Sequence, residues 1–157
     1  MSDFFDEKIA EFLRACQNRN VKLLMVGGAA VNFHGYRRHS ADVDFWIETT
    51  KGNLNSLHEA LRDIGFEKFS FPPAVVERKQ NVSVKISPIL DLELITRFEV
   101  GKSFDVAYSD SVVGSYQGEE TFTYQVISLE DLIINKERSG SPKDRLDILE
   151  LEKRNKQ

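Results

Sequence analysis

A chain of 157 residues, 41% hydrophobic and 29% charged, reads as one globular domain long enough for a real core. Its net charge of -4 argues against general, sequence-independent nucleic-acid binding, yet leaves room for one RNA end in a local basic cleft. No apolar run nears the roughly 20 residues that span a bilayer, the acidic start MSDFFDEK lacks a signal pattern, and the lone Cys16 precludes an internal disulfide; together these predict a cytoplasmic protein with no membrane partner.

Phe4, Phe5, Ile9, Phe12, Leu13 and Cys16 recur at helical spacing, which predicts an amphipathic helix over Asp3 to Asn18 with Cys16 as a buried thiol. Val21 to Val26 is an apolar run suited to a buried strand, ended by Gly27-Gly28. A short helix follows over Ala29 to Phe33, stopped by Gly35. Asp42 to Glu48 alternates: Val43, Phe45 and Ile47 point one way, and Asp42, Asp44, Trp46 and Glu48 the other. Leu54, Leu57, Ala60, Leu61 and Ile64 mark a helix closed by Gly65. Phe71 to Ala74, with Pro72-Pro73, reads as a loop.

Val82, Val84 and Ile86 predict a strand interrupted at Pro88, and Asp91 to Phe98 another. Ser103 caps a helical turn, and Val112 to Tyr116 with Phe122 to Ile127 form a hairpin around Gly118. Ser128 opens a helix through Glu137. Ser141 and Pro142 then cap and begin the last helix. Strands and helices are thus mixed around one sheet: an α/β (α+β) domain with no linker or internal repeat.

The chemistry concentrates between Leu23 and Glu48. Asp42 and Asp44, two apart on a strand, present both carboxylates to one side. At about 4 Å and an effective dielectric of about 20, such charges repel by about 4 kcal/mol. Either one acid stays protonated or a divalent cation sits between them, and Mg²⁺ prefers hard oxygen ligands shared with substrate phosphates. Asp-x-Asp alone is more often the solvated face of an edge strand. Gly27-Gly28 adds backbone that an anion can approach, followed by helix N–H groups. Arg37 and Arg38 add guanidinium forks suited to phosphate from the loop before the aspartates, with Arg38 favoured. His34 and His39 lack the partners of a zinc site and read as loop packing. Trp46, on the aspartate face, either stacks on a base or covers the sheet.

In combination, Val26-Gly27-Gly28, a gap of 13 residues, and Asp42-Val43-Asp44 resemble the nucleotidyltransferase superfamily that includes DNA polymerase beta. Arg38 and Ser40 fill the places of an Arg-x-Ser-x-Asp pattern found in one subgroup. The C-terminal stretch from Ser128 to Lys136, with Lys143, Asp144 and Asp147, looks like the end of small bacterial and archaeal nucleotidyltransferases of the abortive-infection-toxin type. The resemblance implies a nucleotidyltransferase fold, a mixed β-sheet flanked by helices. It implies Mg²⁺, in a two-metal arrangement, on Asp42, Asp44 and a third carboxylate. Glu93, in Leu92 to Thr96, best fits that third place, although many members carry Asp there; Asp91 on the same face is the alternative. Gly27, Gly28, Arg38, Ser40 and Lys136 would then hold the nucleotide, and Asp144 would hold a basic residue in position.

The implied activity is transfer of a nucleoside monophosphate from an NTP to an acceptor hydroxyl on an RNA end, a protein or a small molecule, with a toxin–antitoxin partner protein among the expectations. The rival expectation is a catalytically silent nucleotide- or partner-binding module with the same fold.

Overall fold

A computed structural model describes residues 7–38, 42–67, 69–118 and 120–156. Within them lie seven helices: α1 (Glu7–Asn18), α2 (Gly27–Phe33), α3 (Lys51–Asp63), α4 (Pro73–Val76), α5 (Phe104–Ser109), α6 (Leu129–Ser139) and α7 (Pro142–Arg154). The strands are β1 (Leu23–Val26), β2 (Asp42–Ile47), β3 (Val82–Ser87), β4 (Leu90–Ile95), β5 (Val112–Gln117) and β6 (Thr121–Val126). They form one mixed sheet in the order β3-β4-β2-β1-β6-β5. Consecutive strands pair antiparallel in β1/β2, β3/β4 and β5/β6, while β1/β6 and β2/β4 are parallel.

The expected mixed α/β sheet with flanking helices is therefore present. β1 is buried along its whole length because β2 and β6 flank it and helices cover it. Its four successive apolar residues are the signature of a strand covered on both faces. On β2 the alternation sends Phe45 toward Phe12 of α1, with ring centroids 5.7 Å apart. Trp46 goes to the opposite face, against Phe98 and Phe104. Asn53 ties α3 to the β1–β2 ends: its Oδ1 accepts from the Lys22 N–H at 2.7 Å, and its Nδ2 donates to the carbonyls of Lys22 and Glu48.

Hydroxyl caps behave as expected. Ser103, Ser128 and Ser141 each accept from the backbone N–H three residues on, and Pro142 opens α7. The segment Phe71 to Ala74 differs from expectation. Pro73 begins the short helix α4 with Pro72 at its N-cap, because the fixed φ of proline suits a first helical position as well as a loop. The strand expected over Asp91 to Phe98 runs only from Leu90 to Ile95. The first residues of the helix expected from Asp3 lie outside the described residues.

Four helices end in the same doubly bonded turn. In α1 the N–H groups of Val21 and Asn20 bond back to the carbonyls of Cys16 and Gln17. In α2 the pairs are Tyr36–Val31 and Gly35–Asn32, and in α3 they are Phe66–Leu61 and Gly65–Arg62. In α4 they are Lys79–Ala74 and Arg78–Val75. This closure places one residue in the left-handed region. Three helices meet that demand with Asn20, Gly35 and Gly65; α4 meets it with Arg78, at φ +58°.

Candidate functional site

Parallel pairing of β2 with β4 sets Asp42 beside Asp91 and Asp44 beside Glu93. Neighbours in register project to the same side of a sheet, so all four acids share one face. Asp42 is exposed, while Asp44, Asp91 and Glu93 are partly buried. The two third-acid candidates differ in company. Asp91 lies 3.5 Å from the Lys85 ammonium on the neighbouring strand, whereas Glu93 acts on Asp44. Burial, then the nearby charges of Asp42 and Glu93, push the Asp44 carboxyl up to about 6, against a smaller opposing pull from Lys136.

Gly27 is built around Asp44. Its φ is +62°, and antiparallel pairing puts Asp44 opposite Val26. A Cβ on Gly27 would overlap the Asp44 Oδ2, so only glycine suits the position both for conformation and for space. Gly28 is the second residue of α2. The loop after α2 is drawn in by the Arg38 N–H, which donates to Asn32 Oδ1 at 2.7 Å. Ser40 and His39 lie outside the described residues. His34 donates from Nε2 to the Ile127 carbonyl at 2.8 Å, and burial lowers its pKa, so it packs as a neutral ring.

The basic side of the site is an ion cluster carried by α6 and α7. Lys136 is buried, with its ammonium 3.2 Å from Asp144 Oδ1 and 3.0 Å from Asp147 Oδ2. Arg38 reaches the same Asp147 oxygen at 3.0 Å. Asp144 also accepts from Ser139 and Ser141, and these hydroxyls with Lys136 hold its carboxyl below the usual range despite desolvation. Asp144, expected to hold a basic residue, contacts Lys136. Asp147, only 1% exposed, bridges both cations and was not among the expected site residues. Asp147 shares the buried stripe of α7 with Leu151, where an unpaired acid would be costly, so the two cations are what make its burial tolerable. The Arg38 Nε is buried with no hydrogen-bond partner among the described residues.

Asp42, Asp44 and Glu93 are hard oxygen donors in electrical contact with one another. Among the described residues, no three His, Cys, Asp or Glu side chains converge closely enough to form a metal cage by themselves. That arrangement still fits Mg²⁺, which is usually held by one or two carboxylates and completes its shell with water and substrate phosphates. No protein-family model, curated protein or solved structure matches this chain.

Proposed function

We propose that this protein is a Mg²⁺-dependent nucleotidyltransferase with a nucleotidyltransferase fold. The observation that carries the reading is Asp44, flanked by Asp42 and Glu93 on one sheet face and backed by a glycine that has no room for a side chain. The β4-β2-β1 order supports it, because it sets a third acid on one side of the Asp-x-Asp strand and, on the other, the strand that runs into Gly27-Gly28. Asp42 and Asp44, with Glu93 beside them, would hold Mg²⁺, which when bound would offset the triphosphate charge and complete its shell with water and phosphate oxygens. In this reading Lys136 and Arg38, oriented by Asp147, face the phosphates, and the Gly27–Gly28 backbone lets them approach. The acceptor hydroxyl oxygen bonds to the α-phosphorus, the bond to the β-phosphate oxygen breaks, pyrophosphate leaves, and Glu93 takes the hydroxyl proton.

Calorimetric titration of each NTP with and without Mg²⁺, on wild type and Asp42→Ala/Asp44→Ala, tests this. Mg²⁺-dependent binding lost in the double variant is the expected result, with label from an α-³²P NTP then passing to an acceptor. Binding that ignores both Mg²⁺ and the substitutions sinks the reading. Binding without any transfer favours the silent nucleotide-binding module.

A further inference from the structure

Past Trp46, two residues beyond Asp44 on the same strand face, a groove of about 660 Å³ opens away from the acids. Phe98 and Phe104 line it as half-buried rings packed against Trp46, which is 5% exposed. This groove is mixed in charge, since Glu48, Glu99 and Asp105 line it as well. At one end it shares Arg78, Thr96 and Arg97 with a second concavity of about 400 Å³. That end is different: its lining holds Arg78, Lys79 and Arg97 and no acid. Lys79 has the exposed Glu77 at 2.9 Å. Among the described residues, Arg78 and Arg97 make no ion pair or side-chain hydrogen bond.

The backbone under Arg78 supplies an independent observation. It occupies the left-handed closing position of α4, the place where α1, α2 and α3 carry Asn or Gly. An arginine there works against local conformational preference. Such violations of local rule concentrate where a side chain is needed for function. On a protein of net charge -4, a three-cation pocket holding two unpaired guanidinium groups is a place for phosphate.

We infer that this groove seats a single-stranded polynucleotide, with Phe98 and Phe104 under its bases and Arg78, Lys79 and Arg97 on its backbone phosphates. Aromatic rings joined to a cationic track are the general means of holding unpaired strands. Arg97 lies four residues beyond Glu93, a chain span of at most about 14 Å. The backbone of a strand held at Arg97 therefore lies within short reach of the carboxylate face. Assigning its end as the acceptor rests on the nucleotidyl-transfer reading; binding of the strand does not.

The test is fluorescence anisotropy of a labelled single-stranded RNA of about ten nucleotides, in EDTA so that no metal site contributes, across a salt series. Wild type should bind, and Arg78→Gly and Arg97→Ala should each bind about tenfold more weakly. Each substitution should also lower the slope of log affinity against log salt by about 0.7. Arg78→Gly should melt no lower than wild type, because glycine suits the left-handed position, so its weaker binding cannot be blamed on unfolding. Failure of wild type to bind, or unchanged affinity and slope in both variants, would overturn the inference. Full competition by inorganic phosphate or by polyglutamate at matched charge would overturn it too, leaving a small-anion or a protein site. Strand binding with no Mg²⁺–NTP titration upholds the groove and removes the transferase reading instead.

Discussion

Replacing Asp44 by asparagine should make the metal-free protein more stable and leave it without function. The carboxyl has an ordinary value of 3.8 and is pushed up to about 6 in the fold, chiefly by burial and then by Asp42 and Glu93. Folding therefore opposes its ionisation. Below pH 3.8 the acid is neutral in both folded and unfolded chains and costs nothing. Between 3.8 and about 6 the unfolded chain ionises first, so stability falls as pH rises; above 6 the penalty is complete. That rise corresponds to about 3 kcal/mol. Solvent reaching this partly exposed side chain reduces that to about 2 kcal/mol, or about 4–8 °C in melting temperature for a chain of this size. Scanning calorimetry at pH 7.5 in EDTA should show Asp44→Asn melting higher by that amount, and at pH 3 the gain should vanish. Mg²⁺ with NTP should then raise the melting point of wild type and not of the variant. A variant that melts lower than wild type at pH 7.5, or gains equally at both pH values, would refute the electrostatic account of this site.

Gly27→Ala should cost about 1–3 kcal/mol of stability by urea unfolding, because φ is +62° there and the new methyl meets the Asp44 carboxylate. Loss of Mg²⁺–NTP binding should accompany it. Asp147→Ala should cost about 3–5 kcal/mol, since it strips a buried partner from both Arg38 and Lys136; an unchanged urea midpoint would show that Asp144 alone satisfies the cluster. Asn53→Ala removes three bonds to the backbone of Lys22 and Glu48 and should cost about 3 kcal/mol. Hydrogen exchange should speed up at Lys22 before the sheet centre is affected.

Much of the architecture was legible because local signals agreed with the fold. The Asp42 to Glu48 alternation gave the two faces of β2, and Ser103, Ser128 and Ser141 marked three helix starts where the structure has them. The Pro72-Pro73 pair misled because proline is equally at home in a loop and at a first helical turn. Glu93 is favoured over Asp91 along the chain only by resemblance, since both sit two apart on one face of one strand. Only the β2–β4 register, a long-range pairing, sets Glu93 and not Asp91 beside Asp44. Asp147 was harder still. Its burial depends on Arg38 arriving from more than half the chain away, and no local pattern contains that encounter. Arg78 could not be read at all, because its left-handed backbone is visible only once α4 is known to exist.

The position of β1 constrains the order in which this chain can fold as it is made. One of its edges is satisfied early, by β2. The other waits for β6, where Met25 meets Val126 far down the chain. Until that stretch has left the ribosome, Leu-Leu-Met-Val presents an unpaired, fully apolar ribbon, the kind of edge that recruits other nascent chains. Slow or truncated synthesis should therefore yield aggregates nucleated at β1, and chaperone demand during expression should fall once Val126 has left the ribosome.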